Sequence, residues 1–188
     1  MGEKKIESYK WSSWNDLLSL RSFVVLDLET TGFSDKKNKI IEIGLIKVVE
    51  GEEKETFNSF VNPGAAIPAH ITELTGITDE DVAEAPSFQE LATQILEFIG
   101  DAVIIAHNAP FDVRFLTAEL ARCDVFKKFV YLDTLQIVKK AFPYLESYRL
   151  THLASSLCYI NTQTHRALDD TRLALAVHQA VLFRLRND

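Results

Sequence analysis

The fold of this chain is decided by one stretch of sequence, Phe23-Val24-Val25-Leu26-Asp27-Leu28-Glu29-Thr30-Thr31-Gly32, in which an apolar run ends in two carboxylates. The run is short and rich in β-branched residues, which is typical of a strand buried inside a sheet. Side chains of a strand alternate between its two faces, so Asp27 and Glu29 project to the same side. The sequence therefore predicts a first core strand over residues 23–28 that carries two acidic side chains at its end.

The residues that follow predict an α/β fold. A turn at Gly51-Glu52-Glu53 joins two further apolar segments, and so short a link makes them antiparallel neighbours. Beyond Pro68 the pattern changes to alternating helices and strands, which predicts a mixed sheet of five strands flanked by helices. The predicted strands cover residues 23–28, 40–49, 56–61, 102–106 and 130–132, and the predicted helices cover 91–99, 111–123, 150–157 and 167–185.

The length of 188 residues suits one domain of ordinary globular composition. Residues 1–21 are predicted to be an N-terminal extension with a short amphipathic helix near 11–18, which packs on the core or engages a partner, and packing is favoured. Residues 22–188 are the predicted functional domain. There is no apolar run long enough for a membrane span and no apolar signal segment at the N-terminus. Cys123 and Cys158 match no metal or redox spacing, so the cytoplasm is the expected location.

The net charge of -7 argues against a protein that coats nucleic-acid duplexes broadly. The charge is unevenly distributed, because residues 1–100 carry 18 acidic and 9 basic side chains whereas residues 101–188 carry 9 acidic and 11 basic ones. Divalent cations bound to clustered carboxylates would also offset part of the negative charge. The composition is therefore compatible with a strand end held in a cleft.

Asp27 and Glu29 are the first candidate metal ligands. Two carboxylates at the end of an apolar strand repel each other and lose hydration, and a divalent cation removes both penalties. Mg²⁺ and Mn²⁺ prefer such oxygen ligands. The alternative is that the pair marks only the polar end of a strand, and an isolated Asp-x-Glu does not decide between the two.

A second polar segment, His107-Asn108-Ala109-Pro110-Phe111-Asp112, follows the predicted fourth strand. Sites in open α/β sheets lie where a strand hands over to a helix, so this segment is part of the candidate site. The alternative for Asp112 is that it satisfies free amides at the start of the helix. His107 and Asn108 would then only stabilise the turn.

The third segment is His165-Arg166-Ala167-Leu168-Asp169-Asp170, at the start of the last predicted helix. Either aspartate alone would complement the helix dipole, and a lone histidine is more often structural or exposed than catalytic. The three segments together change this balance, because four acidic groups and a histidine are the set that phosphodiester hydrolysis needs. Two cations about 4 Å apart stabilise the attacking and leaving oxygens, and a neutral imidazole takes the proton of the attacking water.

These motifs resemble those of the DEDDh exonuclease superfamily. The chain is similar to the epsilon proofreading subunit of bacterial DNA polymerase III and to the exonuclease domain of the Gram-positive replicative polymerase. The resemblance covers about residues 22–183 and includes the segments 67–78 and 131–134. Each motif alone is weak, whereas the ordered set is specific. Its members are Asp27-x-Glu29-Thr30, His107-Asn108-Ala109-x-Phe111-Asp112 and His165-x4-Asp170.

The resemblance implies a ribonuclease-H-like fold and a 3′–5′ exonuclease that uses two divalent cations, Mg²⁺ or Mn²⁺. It implies that Asp27 bridges both cations. Glu29 and Asp170 would serve the cation that activates water, and Asp112 would serve the other. The general base implied by the resemblance is His165.

The resemblance also implies which residues bind the terminal nucleotide. Phe111 and Ile77 fit ordinary core positions equally well, and His107 and Asn108 either touch the substrate or shape the loop. The family spacing selects Asp170 rather than Asp169 as the metal ligand. The expected substrate-binding residues are Thr30, Thr31, Gly32, Thr75, Gly76, Ile77, His107, Asn108 and Phe111.

The favoured function is removal of nucleotides from the 3′ end of single-stranded or frayed DNA, in proofreading or repair, with a DNA polymerase as candidate partner. An RNA exonuclease of the ribonuclease T or oligoribonuclease type is the alternative, because contacts with the 2′-hydroxyl are not visible in a sequence. A non-catalytic scaffold is less favoured, since no catalytic residue of the set is missing. The chain ends at Asp188, directly after the last predicted helix, so a free-standing enzyme is expected at least as much as a polymerase subunit. No membrane partner is expected, and the oligomeric state is left open.

Overall fold

A computed structural model of the chain describes residues 7–158, 160 and 165–187. The described residues contain one mixed sheet, as predicted, but it has six strands rather than five. The strands are β1 (Glu7–Ser8), β2 (Phe23–Thr30), β3 (Ile40–Val49), β4 (Glu52–Phe60), β5 (Val103–Ala106) and β6 (Val130–Asp133). Their spatial order is β1-β6-β5-β2-β3-β4, in which the first four run parallel and β3 and β4 run antiparallel to their neighbours.

The additional strand, β1, lies in the predicted N-terminal extension. It pairs with β6 through hydrogen bonds from the amide of Glu7 to the carbonyl of Phe129 (3.2 Å) and from the amide of Tyr9 to that of Tyr131 (2.6 Å). A two-residue strand is too short to show the alternation by which strands are recognised in a sequence. Leu17 of the extension is also fully buried, so the described part of the extension packs on the core. The boundary between residues 21 and 22 stays a prediction.

The helices agree with the predicted ones where the apolar period is long enough to be seen. The two helices between residues 69 and 83 are short, which is why the sequence pattern did not reveal them. The helix predicted over 111–123 begins earlier because Pro110 occupies its first turn. The helices are α1 (Trp14–Ser19), α2 (Ala69–Thr75), α3 (Asp79–Ala83), α4 (Phe88–Ile99), α5 (Ala109–Arg122), α6 (Thr134–Ala141), α7 (Leu150–Cys158) and α8 (Ala167–Asn187).

The apolar side chains of β2 divide between the two faces of the sheet. Val24 and Leu26 are buried in the cluster that holds the apolar residues of α4 and α5. Phe23 and Val25 are buried in the cluster of the opposite face, which includes Ala174 of α8. Because strand side chains alternate, the next odd-numbered residues of β2 also face α8. The central strand therefore carries its acidic side chains toward the last helix.

Four parallel strands end at the same edge of the sheet. Their carboxyl ends bring together the loops after β2, β5 and β6, where the polar segments of the sequence lie. Ligands of open α/β sheets bind at such an edge. Across the described residues, none of the helices combines the length and the apolar character that a membrane crossing requires.

Candidate active site

Asp27 and Glu29 lie at the carboxyl end of β2 and face α8. Asp27 stands opposite Gly44 of β3. Gly44 packs so closely against the start of α8 that a Cβ atom on it would lie 2.5 Å from the carbonyl carbon of Ala167. This approach, which only glycine permits, brings the first turn of α8 and its Asp170 to the end of β2.

Asp170 and His165 meet Glu29 across this contact. One potential ligand atom from each of the three residues lies within 4.8 Å of the other two. Oδ1 of Asp170 is buried and has no hydrogen-bond partner among the described residues, whereas His165 is exposed just before the helix. Two carboxylates and an imidazole therefore face one small volume.

Asp112 reaches the same cluster from α5. Asn108 adopts a left-handed φ of 68°, and this turns the chain directly from β5 into α5. Asp112 is then almost fully buried in the first turn of that helix. Burial raises its pKa well above the ordinary value, against the opposing effect of the backbone amides of Asp112 and Leu28.

The other three carboxyl groups also have raised pKa values. Burial raises the pKa of Asp27 well above its usual range, and the nearby charges of Asp112, Asp170 and Glu29 add to the effect. Burial, followed by the charge of Asp170, raises the pKa of Glu29 to about 8. Burial, followed by the charge of Asp169, raises the pKa of Asp170 to about 7. The protein alone thus keeps the cluster partly protonated near neutral pH.

This donor set fits a divalent cation. Carboxylate oxygens are the ligands that Mg²⁺ and Mn²⁺ prefer, and a bound cation reverses the electrostatic conditions that raise the four pKa values. A buried oxygen without a partner, such as Oδ1 of Asp170, is uncommon in folded proteins and calls for a ligand, an ion or a water. Asp27, Glu29, Asp112 and Asp170 are therefore the residues that could hold metal.

The loop after β2 is held in one conformation by its own hydrogen bonds. The hydroxyl of Thr30 donates to the carbonyl of Gly32 (2.8 Å), and the hydroxyl of Thr31 accepts from the amide of Lys39 (3.0 Å). A Cβ on Gly32 would lie 2.8 Å from the side chain of Asn38. The predicted substrate-binding residues 30–32 therefore form a rigid turn beside the carboxylates.

An exposed aromatic residue, Phe33, follows this turn and was missed in the sequence. Its side chain is 77% exposed, and its ring meets that of Phe111 edge-on with centroids 6.5 Å apart. Phe111 in turn packs on Phe115 at 4.9 Å. The available signal was the aromatic residue directly after the Thr-Thr-Gly sequence. Phe33 and the half-buried Phe111 together form an aromatic surface between the turn after β2 and the first turn of α5.

The predicted residues Thr75, Gly76 and Ile77 end helix α2. Gly76 adopts a left-handed φ of 73°, and the hydroxyl of Thr75 donates to the carbonyl of Ile71 (2.9 Å) and accepts from the amide of Ile77 (3.1 Å). The side chain of Ile77 is fully buried in a cluster with Ile71 and Ile67. Ile77 is therefore a core residue, which is the alternative that the sequence left open for it.

His107 is tied into the fold through both ring nitrogens. Nδ1 lies 2.9 Å from the hydroxyl of Thr134, and Nε2 lies 2.9 Å from the carbonyl of Tyr148. Burial lowers the pKa of His107, so a neutral ring that donates from Nε2 to the carbonyl is favoured. These bonds are those of a residue that shapes the loop, and direct contact with substrate stays a prediction.

Asp133 positions the turn that carries Asn108, although the sequence assigned it no role. Its Oδ1 accepts hydrogen bonds from the amides of Asn108 (2.9 Å), Ala109 (3.4 Å) and Leu135 (3.0 Å). The side chain of Asn108 is exposed. Asp133 therefore fixes the start of both α5 and α6.

Glu42 and Arg166 form an ion pair that the sequence analysis did not predict. Glu42 is 1% exposed inside the apolar strand β3 and accepts from the guanidinium of Arg166 at 3.0 to 3.2 Å. The available signal was a lone acidic residue within Ile40–Val49, because buried acids are almost always paired. Arg166 directly follows His165 in the sequence.

A profile of the family described as Exonuclease (RNase_T) matches residues 24–178, a range that contains the whole acidic cluster and His165. The chain belongs to this exonuclease family. The prediction that it is a nuclease of the DEDDh superfamily is thereby confirmed, together with the α/β fold of ribonuclease-H type. The metal and substrate roles of single residues stay predictions.

The exonuclease is similar to bacterial DNA polymerase III proteins and to a bacterial 3′–5′ exonuclease. It is 41% identical over 150 residues to the PolC-type DNA polymerase III of Clostridium perfringens, covering 80% of this chain and 10% of that protein. It is 34% identical over 166 residues to the DNA polymerase III subunit epsilon of Aquifex aeolicus, covering 87% and 82%. It is 34% identical over 177 residues to the 3′–5′ exonuclease DinG of Bacillus subtilis, covering 90% and 18%. The chain thus spans about a tenth of the length of the PolC-type relatives.

Solved structures share the fold of the exonuclease. Escherichia coli exonuclease I in complex with an oligonucleotide superimposes with a TM-score of 0.77 at 17% identity, over 88% of this chain and 42% of that one. Exonuclease X in complex with 5′ overhanging duplex DNA gives 0.66 at 21% identity, over 88% and 92%. A 3′-exonuclease that recognises a histone mRNA stem-loop gives 0.71 at 16% identity, over 90% and 65%. Identities this low establish the fold alone.

Proposed function

We propose that this exonuclease removes nucleotides from the 3′ end of single-stranded or frayed DNA and releases nucleoside 5′-monophosphates. The observation that carries the proposal is the convergence of Glu29, His165 and Asp170 within 4.8 Å, together with the buried Asp27, whose pKa is raised by burial and by the charges of Asp112, Asp170 and Glu29. A neutral imidazole beside clustered carboxylates is suited to hydrolysis of a phosphodiester.

The four carboxylates are the proposed ligands of two divalent cations, Mg²⁺ or Mn²⁺. Asp27 would hold both cations, Glu29 and Asp170 would hold the one that activates water, and Asp112 would hold the other. When bound, the cations would supply the positive charge that stabilises the attacking and leaving oxygens. The raised pKa values of the four carboxyl groups support this assignment, because burial and the neighbouring negative charges disfavour their ionised forms, and a cation would offset both effects.

His165 is the proposed general base. A ring nitrogen of His165 accepts a proton from the attacking water, whose oxygen forms a bond to the phosphorus of the terminal nucleotide. The bond between that phosphorus and the 3′-oxygen of the preceding nucleotide breaks, and the 3′-oxygen takes up a proton. The exposed position of His165 leaves it accessible to a strand end that enters from solvent.

The turn at residues 30–32 and the aromatic surface of Phe33 and Phe111 are the proposed binding site for the terminal nucleotides. Stacking on an aromatic ring accepts any base, since every base has a π-face. The names of the DNA polymerase III relatives favour DNA as the substrate and a DNA polymerase as a partner. Proofreading or repair in the cytoplasm is the setting that we propose for this activity. One observation supports the alternative of an RNA substrate: the chain shares its fold with a 3′-exonuclease that recognises a histone mRNA stem-loop.

The test compares matched, 5′-labelled DNA and RNA single strands, with Mg²⁺, with Mn²⁺ and with a chelator. Stepwise shortening of DNA that stops in the chelator is the expected result. Absence of shortening with either metal would refute the proposal. Faster shortening of RNA than of DNA would show that RNA is the preferred substrate.

Two neighbouring aspartates provide a matched pair of variants for the same assay. Asp170→Asn should abolish most of the activity. Asp169→Asn should leave the rate within about twofold, because Asp169 is exposed and pairs only loosely with Arg172 (3.6 Å). Equal loss in both variants would show that the acidic cluster is wrongly assigned.

A further inference from the structure

The pair formed by Glu42 and Arg166 joins the central part of the sheet to the segment that carries His165. Nε of Arg166 lies 3.2 Å from Oε1 and 3.1 Å from Oε2 of Glu42, and Nη2 lies 3.0 Å from Oε1. The guanidinium also lies over the ring of Phe60 at 4.9 Å. A forked contact of this kind fixes the orientation of both planar groups as well as their separation.

Glu42 also holds the beginning of α8 itself. Its Oε2 accepts the amide of Ala167 at 3.1 Å. The hydroxyl of Thr171 lies 2.6 Å from the carbonyl of Ala167 and 3.1 Å from that of Gly44, two residues further along β3 than Glu42. Arg166 and Ala167 therefore both donate hydrogen bonds to the buried carboxylate of Glu42. These bonds restrict the backbone of the preceding residue, His165, at its carboxyl side.

The same strand pairing places Glu29. Glu29 and Glu42 are direct partners in the antiparallel register of β2 and β3. In this pair, Glu29 on β2 is a proposed metal ligand, and Glu42 on β3 is the residue that binds the segment carrying His165. We infer that Glu42 and Arg166 are positioning residues for catalysis, which hold His165 at the correct distance from Glu29. This inference rests on the proposed function.

Stability alone does not account for the pair. The side chain of Glu42 is 1% exposed and that of Arg166 is 44% exposed, so one partner of the ion pair is fully desolvated. Buried ion pairs contribute little net stability compared with apolar residues of the same size, whereas the forked contact fixes the orientation of both groups. A displacement of about 1 Å at a catalytic group costs about 100-fold in rate, so the geometry has a large effect on activity.

Arg166→Lys is the variant that separates geometry from charge. Lysine keeps the positive charge beside Glu42 but lacks the planar fork. The expected result is a fall in kcat of about 10-fold to 100-fold, with KM for single-stranded DNA and the thermal midpoint nearly unchanged. A wild-type kcat in this variant would overturn the inference.

A double-mutant cycle tests whether Arg166 acts through His165. In a His165→Ala background the added Arg166→Lys change should lower kcat by less than about twofold, because the group that it positions is gone. The same loss in both backgrounds would show that Arg166 acts elsewhere and would overturn the inference. If Arg166→Lys unfolds at the assay temperature, Glu42→Gln replaces it in the same cycle, since glutamine keeps an acceptor for the amide of Ala167.

A readout that does not require activity separates this inference from the proposed function. The side-chain NMR signals of His165, assigned by comparison with His165→Ala, report whether the imidazole occupies one environment. A single sharp set in the wild type that broadens or shifts in Arg166→Lys supports the inference even before kinetics are measured. Unchanged signals in the variant contradict it, whereas a wild type that shortens neither DNA nor RNA contradicts the proposed function.

Discussion

Two acidic residues at the same edge of the sheet are treated differently by the fold. Asp133, at the end of β6, is buried, and its Oδ1 accepts three backbone amides. Asp170, at the start of α8, has a buried Oδ1 without a partner among the described residues and a pKa raised to about 7 by burial, followed by the charge of Asp169. One carboxylate is satisfied by the protein and the other is not.

The difference separates structural from functional acids. Burial of a charged group is costly unless hydrogen bonds replace the lost water, so the three amides make Asp133 a contributor to the fold. Asp170 lies close to Asp27, Glu29 and Asp112, although burial and mutual repulsion both disfavour the charged forms of these side chains. Such unfavourable arrangements persist where function requires them. A buried acid whose partners are missing therefore indicates a ligand site, whereas burial alone does not.

The largest expected effect is the loss of activity in Asp27→Asn. The rate of nucleotide release should fall about 10²-fold to 10³-fold, since Asp27 is the proposed ligand of both cations. The thermal midpoint in a chelator should stay the same or rise, because one member of a mutually repelling, buried cluster is removed. Rate assays and thermal melts on the same preparation check this. A large drop in the midpoint would place Asp27 in the structural class with Asp133.

Asp133→Ala should have the opposite pattern. It leaves the amides of Asn108, Ala109 and Leu135 without their acceptor, and the free energy of unfolding should fall by about 3 kcal/mol. Urea denaturation measures this change. Asp133→Asn, which keeps an acceptor oxygen, is the control and should lose less. Equal stability of the alanine variant and the wild type would remove the distinction between the two regions.

Phe33→Ala should weaken substrate binding without affecting stability. Base stacking on an aromatic ring contributes about 1–3 kcal/mol, so KM for single-stranded DNA should rise about tenfold. The thermal midpoint should not change, because the side chain is 77% exposed. Phe126→Ala is the matched control, since Phe126 is 71% exposed but precedes the amino end of β6. An equal rise of KM in both variants would exclude a specific role for Phe33.

Without bound metal, the stability of the protein should depend on pH through Glu29 and Asp170. The folded pKa of Glu29 is about 8 against an ordinary 4.5, and that of Asp170 is about 7 against 3.8, so the folded state binds more protons across this interval. The contribution of these two groups to stability is then largest below pH of about 4 and is lost as the pH rises toward about 8. Thermal melts in a chelator should show this decline. Mn²⁺ should reduce it, and a midpoint that rises with pH in the chelator would contradict the raised pKa values.

The sequence revealed those parts of the molecule whose signal is local. The apolar run of β2 predicts both a buried strand and the common face of Asp27 and Glu29, because alternation is a property of the strand itself. The period of α8 predicts a long helix in the same way. The two residues of β1 carry no such period and pair only through backbone atoms, so the sixth strand was missed. Phe33 was missed because its exposure depends on the loop that precedes it.

What the sequence by itself determined is the list of chemical groups and their order, which was sufficient for the family and for the expected chemistry. What only the tertiary structure decided is which of those groups find a partner among the residues that it describes and which do not. Glu42 and Asp133 have the same charge as Glu29 and Asp170, yet Glu42 meets a guanidinium and Asp133 meets backbone amides. These partners come from distant segments, and contacts between distant segments depend on how strands and helices pack rather than on any local pattern.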